Sequence, residues 1–141
     1  TFSKEGNFVV VYMLDTNICS YIIREKPYHL KDKIVKVYKE HTISISSIVA
    51  AELLYGAKRK NSDALMQLVE LFIENLVIFD FDKKAVIEYA SIRSDLEKAG
   101  KIIGSHDLFI AAHAKSLNAY LITKNIKEFK RIKGLKIENW V

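Results

Sequence analysis

Three of the 17 acidic residues in this chain stand out from the rest by their apolar surroundings. Asp15 directly follows the apolar run Phe-Val-Val-Val-Tyr-Met-Leu, and Glu52 lies inside Ile-Val-Ala-Ala-Glu-Leu-Leu-Tyr. Asp107 opens the segment Asp-Leu-Phe-Ile-Ala-Ala-His-Ala. An ionised carboxylate on an apolar face must be paired or coordinated, because burying an uncompensated charge is costly. These three residues are therefore the first candidates for chemistry.

The chemistry depends on whether the three acids meet in one pocket. At ~4 Å and an effective dielectric near 20, each close pair of carboxylates costs about 4 kcal/mol. Either a proton or a cation must then relieve the repulsion. Three carboxylates without His or Cys favour a hard cation, Mg²⁺ or Mn²⁺, which can activate water and stabilise charge on a phosphodiester. Asp15, Glu52 and Asp107 are thus predicted to be both metal ligands and catalytic residues.

Simpler explanations stay open for each acid taken alone. Asp15 can cap the first helix, in competition with Thr16. Asp107 lies in the first turn of its helix, where a carboxylate offsets the helix dipole. Glu52 has the weakest alternative, a buried salt bridge to an Arg.

Four other polar residues join the candidate site. Asn17, two residues after Asp15, and Thr123, at the end of an apolar run, are expected to contact the substrate or support the metal ligands. Asn125 is a further candidate of the same kind. For Asn125 and for Ser47, at the start of the segment that carries Glu52, a cap or turn role is the better explanation.

The His and Cys residues argue against a soft-metal site. Cys19 is the only cysteine, and we interpret it as a small apolar residue in a helix within a reducing compartment. No close pair of His residues offers a zinc site. His106, next to Asp107, could face the substrate, but we interpret it as an exposed first-turn residue, and we interpret His113 as a core or interface histidine.

Alternating strand and helix patterns predict an α/β fold with a parallel sheet between two helical layers. We expect strands at 8–14, the first buried on both faces, and at 43–45, 77–79, 119–123 and 135–139. We expect helices at 16–25, 30–40, 47–59, 62–75, 82–100 and 105–117. Ser47, Ser62 and Asp82 are the predicted caps, and Gly100 and Asn118 the predicted stops. Ligands of such sheets bind beyond the carboxyl ends of the strands, where Asp15 and Thr123 stand.

Length and charge define the class of protein. The 141 residues allow one domain, 1–141, and residues 1–7 are expected to be a cloning remnant or a ragged start. The net charge is +5, and the basic clusters at 58–60 and 124–136 suit a phosphate backbone, although any one of them is also explained as a solvated surface. The longest apolar run is far shorter than the roughly 20 residues of a membrane span, and it lacks signal-peptide flanks. We therefore expect a cytoplasmic protein that contacts no membrane.

Four motifs in order resemble those of PIN domains, in particular VapC-type toxins. They are Met-Leu-Asp-Thr-Asn at 13–17, the segment at 45–57, the segment at 103–114, and Leu-Ile-Thr-Lys-Asn at 121–125 followed by Glu128-Phe129 and Glu-Asn-Trp at 138–140. The resemblance covers nearly the whole chain from Tyr12 onward.

The resemblance implies a PIN-like three-layer α/β/α sandwich around a mostly parallel sheet. It implies that Asp15, Glu52 and Asp107 hold a catalytic Mg²⁺ or Mn²⁺, and that structured RNA, a tRNA or rRNA, is cleaved endonucleolytically to arrest translation. It further implies a homodimer, silenced by a cognate antitoxin that alone contacts DNA. Many PIN domains carry a fourth acid where this chain has Lys124 and Asn125, so a one-metal site is at least as well supported as a two-metal site.

Two other functions are compatible with parts of the pattern. The first is a non-catalytic module on the same fold that binds RNA or a basic partner through its carboxylates. Three mutually repelling acids argue against it. The second is a phosphatase with Asp15 as nucleophile, which is disfavoured because Asn17 stands where a second acid is required.

Overall fold

A computed structural model describes residue 6 and residues 8–141 of the chain. The expectation for residues 1–7 therefore falls, apart from Gly6, outside the described residues. The elements follow one another in the order β1 (Val11–Leu14), α1 (Thr16–Ile23), α2 (Tyr28–Tyr38), β2 (Thr42–Ser46), α3 (Ser47–Arg59), α4 (Asp63–Glu74), β3 (Val77–Phe79), α5 (Lys83–Lys98), α6 (Ser105–Ser116), β4 (Tyr120–Ile122), α7 (Ile126–Phe129) and β5 (Lys136–Glu138).

The five strands form one parallel sheet with the order β3-β2-β1-β4-β5. β1 is central, and its Met13 pairs with Ser44 of β2 on one side and with Leu121 of β4 on the other. Each parallel connection needs a crossover, and helices provide it on the faces of the sheet. The predicted α/β/α sandwich with a parallel sheet is confirmed.

The core lies where the central strands meet the helices. Met13, Leu14, Ile45 and Leu121 are completely buried, and burial of each such side chain contributes roughly 1.5–3 kcal/mol. Helix α6 is buried almost all round, with small Ala residues that let it pack closely against α5. α6 also contacts α3 and β4.

The first strand is shorter than predicted, and its buried part is shorter still. The ladder with β2 begins only at Val11, which pairs with Thr42, because β2 itself begins there. Only Met13 and Leu14 are buried, whereas Phe8 is 62% exposed. The apolar run at 8–14 is thus longer than the ladder that β1 forms with β2.

Most predicted caps are confirmed, and one is displaced by a residue. The side chain of Ser62 accepts from the Leu65 amide and that of Asp82 from the Ala85 amide, each capping its helix. α3 is instead capped by Ser46, which accepts from the Ile48 amide at 3.1 Å.

The predicted helix stops are present, and one short helix was not foreseen. Gly100 (φ 67°) and Asn118 (φ 54°) adopt the left-handed conformation just past α5 and α6, as expected for helix stops. The four-residue helix α7 was not predicted from the sequence. Among the described residues, no helix is long and apolar enough to cross a membrane.

Candidate metal centre at the carboxyl edge of the sheet

Asp15 stands directly beyond the end of the central strand. Its amide donates to the carbonyl of Ile122 at 3.1 Å, so the pairing of β1 with β4 fixes its position. Its side chain is buried at 5% exposure, and Oδ1 accepts from the Ile18 amide at 2.9 Å. Asp15, rather than Thr16, therefore caps α1.

The charge of Asp15 is only partly compensated by its surroundings. Burial raises the pKa of this carboxyl above its usual range. Hydrogen bonds from the Thr123 side chain and the Ile18 amide, and the field of His106, act in the opposite direction but do not cancel the effect. Asp15 is therefore a carboxylate that a nearby cation would stabilise.

Asp107 occupies the first turn of α6 and is half-buried. Its pKa is raised chiefly by burial, then by the negative charge of Glu128 and also by that of Asp15, whereas His106 lowers it. Asp15 and Asp107 thus lie within each other's electric field. In the part of the chain that the structure describes, neither acid forms an ion pair with Lys or Arg.

Glu52 lies on α3 and is exposed to solvent. The buried face of that helix consists of Val49, Ala50, Leu53 and Ala57. Glu52 points beside this face, and its neighbour Tyr55 is itself 61% exposed. The expectation that apolar neighbours force Glu52 to be buried and paired is therefore wrong, since the packing that covers Val49 leaves Glu52 and Tyr55 in solvent.

The meeting of all three acids stays a prediction. α3 packs against both α1 and α6, which carry the other two acids. Across residues 6 and 8–141, however, no three His, Cys, Asp or Glu side chains are close enough together to hold a metal ion. The structure places Asp107 within the electric field of Asp15, and the contribution of Glu52 to the same site stays a prediction.

Glu128 is an acid of this site that the sequence interpretation missed. Its Oε1 accepts from the Gly104 amide at 3.3 Å and its Oε2 from Nδ2 of Asn125 at 2.8 Å, which ties α7 to the loop before α6. Among charged groups, Glu128 has the largest effect on the pKa of Asp107. A sequence signal was available, because an Asn followed three residues later by Glu is the spacing of a capping box.

The other predicted site residues differ in their burial and in their hydrogen bonds. Thr123 is completely buried and bonded to Asp15, and its Oγ1 also accepts from the Asn125 amide at 3.0 Å. Asn17 is exposed in the first turn of α1. Ser47 has a structural role, because its hydroxyl accepts from the Phe81 amide at 3.1 Å. Contacts of Asn17, Thr123 and Asn125 with a substrate stay predictions.

The two histidines of α6 have different environments. His106 is half-buried, with Nε2 2.9 Å from Oγ1 of Thr16, so its interpretation as a merely exposed residue is wrong. His113 is a core residue, as predicted, at 1% exposure. Its Nδ1 lies 2.7 Å from Oγ of Ser46, and its ring packs edge-on against Phe81.

Cys19 has the structural role that the sequence predicts. It is completely buried in α1, and burial raises the pKa of its thiol well above the usual range. The thiol therefore stays neutral and does not add a soft ligand to the site.

A parallel five-stranded sheet with paired acids beyond its central strands defines the class of protein, and the family comparison agrees with it. The PIN domain profile matches residues 12–135. The chain belongs to the PIN-domain family.

Individual members of this family are similar to the chain over nearly its whole length. Ribonuclease VapC2 of Rickettsia felis is 47% identical over 132 residues, which cover 93% of this chain and 98% of that protein. The tRNA(fMet)-specific endonuclease VapC of Salmonella typhimurium is 38% identical over 130 residues, covering 92% and 97%. The crystal structure of VapBC2 from Rickettsia felis bound to a promoter DNA fragment contains a chain that matches with a TM-score of 0.89 and 44% identity, covering 94% of this chain and 100% of that one.

Proposed function

We propose that this chain is a Mg²⁺- or Mn²⁺-dependent endoribonuclease, the toxin of a toxin–antitoxin pair. It would cleave structured RNA, a tRNA or rRNA, in the cytoplasm and thereby arrest translation. The observation that carries the proposal is the pair Asp15 and Asp107, two acids with raised pKa values and no described cationic partner at the carboxyl edge of the sheet. Relatives named ribonuclease and tRNA(fMet)-specific endonuclease support the choice of RNA.

The donors of this site fit a hard divalent cation by their chemistry. Asp15 and Asp107 offer carboxylate oxygens, the preferred ligands of Mg²⁺ and Mn²⁺. We infer that Glu52 completes the set, since its helix packs against both helices that carry the other two acids. When bound, the ion would supply an activated water and stabilise the charge that develops on the phosphodiester.

The protein itself would hold and orient the reacting groups. Thr123 and the Ile18 amide each bond the Asp15 carboxylate and fix its rotation. Asn17, exposed in the first turn of α1, would contact the substrate beside Asp15. Both oxygens of Glu128 already accept hydrogen bonds. Glu128 is therefore poorly suited to ligate a second ion, and we favour a one-metal site.

The test is RNA cleavage by the purified chain with Mg²⁺ and with EDTA. We expect metal-dependent cleavage, and a loss of at least about a hundredfold in Asp15→Asn, Glu52→Gln and Asp107→Asn, the scale seen when charge-stabilising groups are removed. Glu70→Gln is the matched control, because Glu70 is exposed on α4. Unchanged activity in the Asp15 or Asp107 variant would overturn the assignment.

One observation favours the alternative of a non-catalytic RNA-binding module, namely that Glu52 is exposed and that no three acids of the described residues are close enough together to hold a metal ion. The same assay decides between the two functions. RNA that is bound but left intact at every Mg²⁺ and Mn²⁺ concentration would support the module. Full activity in Glu52→Gln alone would leave the nuclease in place but remove Glu52 from the ligand set.

We further propose that a cognate antitoxin binds the apolar groove between α2 and α4. The groove has a volume of about 370 Å³, and its apolar residues include Val35, Tyr38, Leu68 and Leu71, each about half exposed or more. Exposed apolar patches of this kind mark protein interfaces. VapBC2 from Rickettsia felis, which contains a relative of this chain, was crystallised with a DNA fragment. This chain would then be attached to DNA only through the antitoxin.

The antitoxin assignment is tested by Leu71→Glu. We expect the variant to cleave RNA normally but to escape inhibition, because a buried unpaired charge opposes docking. Ile102→Glu is the control, since Ile102 is equally exposed but lies in the loop before α6. Equal inhibition of Leu71→Glu and of the unsubstituted protein would exclude the groove.

We also propose a homodimer, formed through exposed apolar residues of β3 and α5. Val77 and Ile78 of the edge strand β3 are exposed, as are Val86 and Ile87 of α5. Light scattering should give twice the mass of the chain, and Ile87→Glu should shift the protein to the monomer. A monomeric unsubstituted protein at micromolar concentration would contradict this.

A further inference from the structure

A basic pocket with an aromatic wall opens beside the proposed metal centre. It has a volume of about 360 Å³ and is lined by Tyr21, Arg24, Lys26, Pro27, Lys124 and Val141. Most of these residues come from the end of α1 and the loop after it, whereas Lys124 directly follows the buried Thr123. The pocket is therefore built where the end of α1 meets the carboxyl edge of β4.

The ring of Tyr21 forms the aromatic wall of this pocket. Its ring is partly exposed, and the guanidinium of Arg24 lies over it at 5.2 Å from the ring centroid. The Nζ atom of Lys124 lies 6.0 Å from the same centroid. Nε of Arg24 also donates to the carbonyl of Ser20 at 3.3 Å, which helps to hold the guanidinium in place. An aromatic ring with a guanidinium over one face and an ammonium nearby leaves its other face for a base, and the cations are placed to bind the phosphate of that base.

The charge of the pocket is not neutralised by acidic side chains in its wall. Arg24, Lys26 and Lys124 line it, and its described lining contains no Asp or Glu. Glu25, next to Arg24 in the sequence, is instead paired with Lys31 at 2.7 Å. Three cations gathered in one concave surface raise the local potential and favour an anionic ligand.

Helix spacing and chain neighbours connect the pocket to the acidic site. Asn17, Tyr21 and Arg24 are spaced four and three residues apart, so they lie along one face of α1. That face begins beside Asp15, which caps the helix. On the other side of the pocket, Lys124 follows Thr123, whose side chain bonds the Asp15 carboxylate. An RNA strand whose phosphates pass over Asp15 would therefore also reach the pocket.

From this arrangement we infer that the pocket binds an unpaired nucleotide of the RNA substrate, next to the phosphate that is cleaved. The base would stack on Tyr21, and its phosphate would pair with Arg24 and Lys124. Stacking tolerates any base, so the pocket would select an unpaired nucleotide rather than a sequence. The inference deepens the proposed function, on which it rests for its substrate.

The test measures binding rather than cleavage. The full chain in EDTA is titrated with a short single-stranded RNA that carries 2-aminopurine, and both anisotropy and fluorescence quenching are recorded. Tyr21→Leu should weaken binding about tenfold and abolish the quenching, whereas Tyr21→Phe should retain both. Lys39→Gln is the control for lost charge, because Lys39 precedes β2 at the opposite edge of the sheet.

The salt dependence identifies the phosphate contacts. Arg24→Gln and Lys124→Gln should each reduce the slope of log affinity against log salt by about 0.7, the value for one phosphate of a single strand. Lys39→Gln should leave the slope unchanged. Thermal unfolding of every variant checks that the fold is retained.

Three results would overturn the inference. They are equal affinities of Tyr21→Leu and Lys39→Gln, absence of quenching in the unsubstituted protein, and binding of a poly-glutamate peptide with the same dependence on Tyr21 and Lys124. The last would assign the pocket to an acidic peptide. Failure of the proposed nuclease has a different signature, namely Tyr21-dependent binding followed by no cleavage when Mg²⁺ is added.

Discussion

The hydroxyl of Thr16 lies 2.9 Å from Nε2 of His106 and joins the first turn of α1 to the first turn of α6. Each partner is the sequence neighbour of one central acid, Thr16 of Asp15 and His106 of Asp107. The hydrogen bond therefore fixes the two helix starts relative to each other, and with them the separation of the two carboxylates.

We expect Thr16→Val to lower kcat about tenfold with little change in KM, because small misplacements of reacting groups are costly in rate. Thr16→Ser keeps the hydroxyl and should restore activity. The measurement is steady-state cleavage of a labelled RNA at saturating Mg²⁺. A normal kcat in Thr16→Val would show that packing alone aligns the two helices.

Asp107→Asn is expected to stabilise the protein when no metal is present. The pKa of Asp107 is raised in the folded state, mainly by burial and by Glu128, so the folded protein binds more protons than the unfolded chain between the two pKa values. The free energy of unfolding therefore falls as pH rises through that window, starting near the ordinary Asp value of about 3.9. At pH 7 the substitution removes this cost.

Calorimetry in EDTA should show the melting temperature of Asp107→Asn raised by about 1–3 °C at pH 7, a small effect because the side chain is half exposed and solvent screens it. Below about pH 4 the difference should disappear. Added Mg²⁺ should stabilise the unsubstituted protein more than the variant. A variant less stable than the unsubstituted protein at pH 7 would contradict the repulsion between the acids.

Glu128→Gln should weaken metal binding without changing the fold. Glu128 contributes negative charge beside Asp107 and holds Gly104 and Asn125 through its two oxygens. Loss of such a supporting group typically costs about 10-fold to 100-fold in metal affinity. The midpoint of a Mn²⁺ titration, followed by calorimetry, should rise by that factor. Glu70→Gln, an exposed acid on α4, should show no change.

His113 is expected to make stability depend on pH in the mildly acidic range. Burial lowers the pKa of this ring, so the folded state holds it neutral while the unfolded chain takes up a proton below about pH 6.5. Its stabilising contribution is complete above that pH and is lost as pH falls towards the folded-state value.

In His113→Gln the fall in stability between about pH 6.5 and pH 5 should be smaller. The variant should also be less stable at pH 8, by about 1–3 kcal/mol, because the bond to Ser46 is disturbed. Urea unfolding across this pH range provides both numbers. The same pH dependence in both proteins would assign it to another group.

The order of helices and strands could be predicted from local pattern, because its causes are local. Ser62 and Asp82 cap the helices that immediately follow them, and Gly100 and Asn118 end the helices that precede them. The position of Asp15 was equally predictable, because a residue after a central parallel strand must lie at the carboxyl edge. In each case the groups that decide the outcome are a few residues apart.

Only the tertiary structure decided which acidic side chains lie in one another's electric field and which are exposed to solvent. Glu52 has apolar neighbours in the helix but remains exposed, since burial depends on what packs over them. Glu128 acts on Asp107 from 21 positions away in the sequence, and Thr16 bonds His106 from 90 positions away. Periodicity predicts the elements because hydrogen bonding and side-chain spacing act within a few residues. The electrostatics of the site follow instead from distances that exist only after α1, α6 and α7 have packed around the end of the sheet.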